Sequence, residues 1–409
     1  MYDVIIIGGG AGGLFLCANL KNQKVLLLEK SDRLGKKILI TGGGMCNLTN
    51  RDDTQTFLTH LADKRQANFI KPALLNFDTK KTFDWFESQG LPLVIREDKK
   101  VFPASLKAQS VVDLLATLAR HNHVEIHTSE KVTDLAYHET HFTVTSSKET
   151  YTSSKVVLAT GGMSYPTTGS DGSGYPLAKE LGHTIVSPTP ALVGITVSNY
   201  PYTNFAGNSI RNSQVDFFHA GETKRYLSDK GDLLFTHDGL SGPVILNNSR
   251  LIKKGDRIHA SLLGTTNKET LYKHLGDLFT QNAKKQLYTL LKGEGLFGNL
   301  AQEVLASQFL STTDTCANLS KERRVNLVKA LADQEFIVSS KKGFNAAMVT
   351  AGGVALEEID RKSMESKLVK GLFFTGEVMD IDGDSGGYNL QSAFSTAKLM
   401  AQHIQGSKP

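Results

Sequence analysis

Short β-branched runs and amphipathic stretches alternate along this chain from its first residues. Val4–Ile7 is an apolar run that stops at glycine, Ala11–Lys21 has helical character, and Val25–Leu28 is a second apolar run that ends in Glu29. Strand, glycine turn, helix and strand in that order predict a βαβ unit with a right-handed crossover. Amphipathic spacing then predicts helices over Lys71–Gln89 and Ala108–His121, with two short strands in the intervening LPLVIREDKKVFP. Val124–His127, Val132–Tyr137, His141–Thr145 and Val156–Ala159 alternate or run apolar as strands do. A short helix is expected near Tyr175–Leu181, and the pattern changes at Pro188 and Pro190. Beyond these prolines, Ala191–Leu263 reads as strands separated by turns, and Lys268–Asp333 as helices. Leu372–Thr375 is a last strand and Asn389–Gln405 a closing helix.

This order predicts an α/β protein with a Rossmann-like first domain that is discontinuous, formed by residues 1–190 and 343–409. Between them stand an inserted β domain over 191–265, joined by part of 334–352, and a helical subdomain over 266–333. The length fits such a division, since 409 residues exceed the ~250–300 at which a single core stops growing. Three cysteines, Cys17, Cys46 and Cys316, are too few and too scattered for a disulfide scaffold or a CxxC zinc site. No apolar run approaches the ~18 residues of a membrane helix. The N-terminal run lacks a basic leader, so a cytoplasmic protein is expected.

Charge is unevenly spread. Arg250–Lys342 holds 15 Lys+Arg against 9 Asp+Glu, whereas the remainder holds 31 against 32. The basic segment is either a solvated helical surface or a site for a polyanion.

Gly8-x-Gly10-x-x-Gly13 follows a strand directly and opens a helix, with Glu29 sixteen residues beyond Gly13. In this setting the first glycine permits the tight turn, the second lets a pyrophosphate approach the backbone, and the third lets helix and strand pack closely. Helix N–H groups then hold the diphosphate, and Glu29 accepts from ribose hydroxyls while repelling a 2′-phosphate. A purely structural glycine turn is the alternative reading. The chain's ending selects FAD over NAD: Glu377 follows a strand, and Gly383, Gly386 and Gly387 meet the start of the last helix. A second helix N-terminus suits the anionic end of a reduced flavin. GSDGSG, Gly169–Gly174, is separated from its strand by a loop and reads as a turn rather than a second dinucleotide motif.

The glycine fingerprint, KILITGGGMCNLTN (Lys37–Asn50), VFPASLKAQSVVD, VVLATGGMSYPTTGSDGSGY and TGEVMDIDGDSGGYNLQSA together resemble the YhiN/BaiN-like flavoproteins, relatives of glutathione-reductase-type FAD proteins. The resemblance runs the whole length. It implies FAD, a split FAD domain, an inserted β-barrel-like domain and a helical subdomain. It also implies reduction of C=C bonds, notably a uracil of large-subunit ribosomal RNA to dihydrouridine, although aminoacetone oxidase and bile-acid reductase labels also occur in the family. By this resemblance Gly8, Gly10, Ala11, Gly12 and Glu29 hold the ADP half. Lys37, Gly42, Gly43, Gly44, Cys46 and Asn47 run along the diphosphate and ring, and Val132 offers its backbone to adenine. Thr160 and Gly161 match the second flavin motif; Gly376, Glu377, Gly387, Tyr388, Asn389 and Gln391 match the last. Related proteins often carry Gly-Asp where this chain has Gly376-Glu377.

Cys46 and Tyr388 are the candidate proton donors, each with ordinary packing as the alternative; Tyr165 is a weaker one. No CxxxxC pair is present, which excludes a flavin–dithiol disulfide reductase. GDSGG at Gly383–Gly387 would imitate a hydrolase nucleophile, but no partner motif accompanies Ser385. His121, His123 and His127 span a helix end and a strand and are expected at the surface; no metal site is expected. Lys321, Arg323 and Arg324 are candidate phosphate contacts on an amphipathic helix. The expectation is an FAD oxidoreductase that reduces an activated C=C with electrons from transiently bound NAD(P)H, acting on an rRNA uracil. A small-molecule flavin reductase or amine oxidase is the first rival, and a non-catalytic RNA-binding flavoprotein the second.

Overall fold

In a computed structural model, which describes residues 1–264 and 268–406, the first strand lies at the centre of a seven-stranded sheet. Tyr2–Ile7 runs parallel to Val25–Leu28 on one side and to Thr150–Leu158 on the other. Glu125–His127 extends the sheet beyond Val25–Leu28. Thr150–Leu158 is shared between two neighbours. Its first residues pair antiparallel with Phe142–Ser146, which pairs with Val132–Tyr137, and its last three pair parallel with Leu372–Phe374. The VIII, VLLL and LFF runs are fully buried, as strands covered on both faces must be. Because Leu372–Phe374 pairs there, the turns after Ile7, Leu158 and Phe374 open at one edge of the sheet.

Helix Ala11–Asn19 packs against Ala108–His121 and the closing helix Tyr388–Ile404. Phe15 anchors this layer among Phe77, Trp85, Phe86 and Phe394, with ring centroids 4.6–6.0 Å away. The stretch predicted as one helix over 71–89 is two, Lys64–Asn76 and Thr79–Ser88. Asp78 breaks the pattern by capping the second helix, its side chain accepting from Lys81 N–H at 2.8 Å. The strand predicted at 156–159 begins six residues earlier, because its polar half alternates buried and half-buried positions against Phe142–Ser146. Pro188 and Pro190 lie inside a strand, Ile185–Ala191, and the division between the two units falls directly after Pro190. Among the described residues this strand pairs with Val349–Val354 alone, and a two-stranded edge tolerates the missing donors. Thr49–Asn50, Lys100–Pro103 and Leu93–Ile95 form a small antiparallel sheet.

The chain divides into two compact units, residues 1–190 with 344–409, and residues 191–343. The second contains a closed six-stranded barrel in the order Ile195–Val197, Gly239–Ser241, Arg225–Phe235, Ser209–Phe218, Arg257–Ala260, Gln334–Lys341. The outer two pair and so leave no open edge. Helices Lys268–Gln281, Leu287–Gly293, Gly298–Ser307 and Lys321–Ala332 occupy the connection between the last two strands. Their buried side chains join those of the barrel in one core that includes Phe217, Phe235, Leu275 and Leu331. The expected boundary at 265/266 lies outside the described residues. Among the described residues no helix is long and apolar enough to cross a membrane.

Candidate active site

The glycine fingerprint divides into positions required by the fold and positions required by something outside it. A Cβ on Gly13 would stand 2.0 Å from Gly8 O, so Gly13 is what lets the helix lie against the strand end. A Cβ on Gly8, at φ +111°, would meet Ala159 O at 2.5 Å. Gly10 differs, because a Cβ there meets no protein atom within 4 Å. Gly10 also opens helix Ala11–Asn19 without a side-chain cap. Helices Thr54–Thr59, Lys64–Asn76 and Thr79–Ser88 in the same unit are each capped by an aspartate, Asp53, Asp63 and Asp78. An uncapped helix end beside open space is suited to a diphosphate.

Glu29 stands next to this turn. Its carboxylate accepts from Gly9 N–H and Ser31 N–H, both at 2.7 Å, which orients it and leaves lone pairs for ribose hydroxyls. Lys30 pairs with Asp171 and donates to Ser173 Oγ at 2.8 Å, drawing the 169–173 loop against the same corner. The Ser170 hydroxyl, buried beside Gly161, has no hydrogen-bond partner among the described residues. Thr160 is half-buried behind Gly174, whose added Cβ would strike its Oγ1 at 2.0 Å. Val132 begins its strand and is buried, three residues after Ser129 N–H donates to Ser31 O.

Helix Tyr388–Ile404 also starts without a side-chain cap, opened by Gly387 at φ +94°. The TGGGMCNLTN segment folds onto it. The Asn47 amide donates to Thr49 O at 2.9 Å and Val101 O at 3.2 Å, and its oxygen accepts from Gly387 N–H at 3.1 Å. Asn50 Nδ2 donates to Gly386 O at 3.2 Å, and a Cβ on Gly387 would meet the Thr49 backbone at 2.7 Å. Gly42, Gly43 and Gly44 all have positive φ, and Gly43 is exposed with open space above it. These residues fit a dinucleotide cofactor.

Not every motif residue faces outward. Gln391 is fully buried and its amide is occupied by Thr49, Phe77, Thr82 and Ser395. Asn389 closes its own loop, accepting from Gly383 N–H at 2.9 Å and donating to Gly383 O at 3.0 Å. Glu377 follows Gly376 and is tied to Lys37 Nζ and Ser164 Oγ at 2.7 Å and to Thr350 N–H at 2.8 Å. Cys46, at φ +60°, has no exposed surface, and burial pushes its thiol up to about 12. Tyr388 is buried and donates to Asp52 Oδ2 at 2.7 Å; burial and that carboxylate push its hydroxyl well above the usual tyrosine range.

A cluster that no motif announced surrounds Tyr388. His60 stacks on its ring at 4.4 Å and 21°, and His60 Nδ1 lies 3.0 Å from Asp384 Oδ2. Lys99 Nζ donates to Asp52 Oδ1 at 3.1 Å. Burial draws the Asp52 carboxyl upward, but hydrogen bonds from Tyr388 and Lys99 outweigh it and hold the group below the ordinary aspartate value. Asp52, His60 and Lys99 lack periodicity or spacing that could have marked them in the sequence, and Asp384 stands in GDSGG, a motif read for its serine and glycines.

Other arrangements serve the fold. Ser366, His183 and Glu358 have triad-like spacing, with His183 Nε2 2.8 Å from Ser366 Oγ and Nδ1 3.1 Å from Glu358 Oε2. The imidazole is sealed from solvent, and Ser366 Oγ also accepts from Leu368 and Val369 N–H. Among the described residues no group of His, Cys, Asp and Glu could hold a metal. His127 is held between Glu125 and Glu130, while His121 and His123 are exposed. Lys321 and Arg323 are exposed, whereas Arg324 donates to Thr280 Oγ1 at 3.1 Å.

Residues 2–403 match the model of the HI0933-like protein Rossmann domain. A 3-dehydro-bile acid delta(4,6)-reductase of Clostridium scindens is 31% identical, over 98% of each chain. A ribosomal RNA dihydrouridine synthase of Escherichia coli is 30% identical, over 100% of this chain and 99% of the relative. Among solved structures, the 3-ketosteroid-delta4-(5alpha)-dehydrogenase of Rhodococcus jostii superposes with a TM-score of 0.52 at 14% identity, over 100% of this chain and 97% of its own. The chain belongs to the HI0933-like family of FAD-dependent oxidoreductases.

Proposed function

We propose that this enzyme reduces a carbon–carbon double bond conjugated to a carbonyl, and that its substrate is a uracil of large-subunit ribosomal RNA, converted to dihydrouridine in the cytoplasm. Bound FAD supplies the electron pair for such chemistry, reloaded by transiently bound NAD(P)H. The chain's part is to hold and orient. Gly10 and Ala11 would receive the diphosphate at the first helix end, which Gly8, Gly12 and Gly13 shape by close packing, Glu29 would take the ribose, and the backbone at Val132 would face adenine. Thr160, Gly161 and Gly376 line the turns at the same sheet edge. Lys37, neutralised by Glu377, runs along the cofactor with Gly42, Gly43 and Gly44. Gly387 and Tyr388 present the second helix end to the flavin ring, while Asn47, Asn389 and Gln391 brace that end. Cys46 fills the space beneath the glycine loop.

The observation that carries the RNA assignment is where the charge sits. Unit 191–343 has 19 Lys+Arg against 14 Asp+Glu, while the rest of the chain has 27 against 27. The whole positive excess therefore lies on the inserted unit, as a polyanion contact separate from a neutral cofactor domain requires. A base in folded RNA must leave its stack to reach a flavin. Mass analysis of ribosomal RNA from a deletion strain tests the reading: one uridine should lose the two-dalton increment, and an unchanged spectrum would refute it.

A small-molecule enone reductase is the second reading, favoured by the relative at 31% identity that carries a bile-acid reductase name. It predicts NAD(P)H oxidation driven by a cyclic enone, with ribosomal RNA unchanged on deletion.

A further inference from the structure

Neither acid singled out from the sequence is placed to give a proton to a substrate. Cys46 has no exposed surface, and the Tyr388 proton is directed at Asp52. Resting on the proposed C=C reduction, we infer that His60 is the catalytic acid and that Asp384 positions it. His60 ends helix Thr54–Thr59, and its backbone is strapped to the loop that leads into the last helix. Leu61 bridges Gly383, Asp384 N–H donates to His60 O at 2.9 Å, and Ala62 N–H donates to Asp382 O at 3.1 Å. The imidazole lies nearly flat on Tyr388, the first residue of that helix, and so stands at the end proposed for the flavin ring.

The ring is held at one nitrogen and open at the other. Nδ1 faces Asp384 Oδ2 at 3.0 Å, Nε2 has no protein partner among the described residues, and the side chain is 35% exposed. A carboxylate at Nδ1 fixes the tautomer and stabilises the imidazolium, which leaves Nε2–H as the proton to give. His183 shows the contrast: a structural histidine with both nitrogens engaged and no exposure. The titratable groups facing His60 are Asp384, Tyr388 and Asp52 with its Lys99 partner, while Asp382 accepts from Gln66.

In the step itself the substrate π bond is lost and two C–H bonds form. Bound reduced FAD would supply one hydrogen together with the electron pair. The other is the Nε2 proton of His60, and the neutral imidazole regains a proton from water. A nicotinamide nucleotide restores the electrons.

The test uses the full-length holoenzyme, its flavin reduced with dithionite and mixed anaerobically with either of two probes, a transcript of large-subunit ribosomal RNA or a cyclic α,β-unsaturated ketone. Reoxidation by the active probe should slow by about 10²-fold or more in His60→Gln, with little change in the probe concentration needed for half-maximal rate. Asp384→Asn should slow it less. In the flavin-free chain, imidazole ¹⁵N spectra should show Nδ1–H of His60 bonded to a carboxylate, a signature lost in Asp384→Asn. A wild-type rate in His60→Gln, or an unchanged ¹⁵N signature in Asp384→Asn, overturns the assignment and leaves the reduction standing. If neither probe reoxidises wild-type flavin, the C=C reading falls, and this inference with it.

Discussion

Thr49 Oγ1 donates to the side-chain oxygen of Gln391 at 2.6 Å, joining residues 342 positions apart inside the layer that holds the last helix. Gln391 spends its NH₂ on Phe77 O, Thr82 Oγ1 and Ser395 Oγ, so this oxygen has Thr49 as its buried donor. Thr49→Val should cost about 1–3 kcal/mol by leaving that oxygen unpaired. Urea unfolding should show a lower midpoint at an unchanged slope. Flavin affinity should drop too, since Thr49 also backs Gly387. An unaltered midpoint would mean the bond carries no net stability.

Gly10 and Gly13 should part company when each is changed to alanine. Gly13→Ala drives a Cβ to within 2.0 Å of Gly8 O, so helix and strand must separate and the protein should lose much of its thermal stability. Gly10→Ala meets no protein atom within 4 Å, so the fold should survive while the added methyl blocks the diphosphate. The check is a pairing of melting temperature with flavin content after purification. A Gly10→Ala protein that is yellow and binds FAD like the wild type contradicts the site.

His183 should make stability depend on pH. Burial lowers its pKa, outweighing the opposing pull of Glu358. The unfolded chain binds a proton near pH ~6.5, whereas the folded chain resists it to lower pH. The unfolded state therefore holds more protons in that window, and folding free energy should decline as pH falls below about 6.5. His183→Gln should flatten the part of the profile between pH 7.5 and 5.5 that wild type loses. Equal slopes in the two proteins would exclude His183 as the cause.

The thiols should be silent until the chain unfolds. Cys17, Cys46 and Cys316 are all buried, and burial raises each of them, Cys46 to about 12. A disulfide reagent at pH 8 should titrate no thiol in native protein and all three in denaturant. Rapid native labelling of Cys46 would reopen it as a proton donor.

The periodicity of the chain determined a good deal. Ala108–His121 is a helix at the residues its amphipathic spacing marks, and Val4–Ile7 and Val25–Leu28 are neighbouring parallel strands. Gly8, Gly10, Gly13 and Glu29 could be read because turn, helix end and acidic residue come from one short stretch whose local geometry hardly depends on the rest. Only the tertiary structure decided which motif residues face outward and which brace them. Gln391 and Asn389 stand in the same motif as Gly387 yet are turned into the protein, because buried amides must find partners wherever the fold supplies them. His60 and Asp384 were invisible for the complementary reason. Backbone bonds between residues 60–62 and 382–384 join them across more than three hundred residues, and a contact at that separation leaves no period in a sequence.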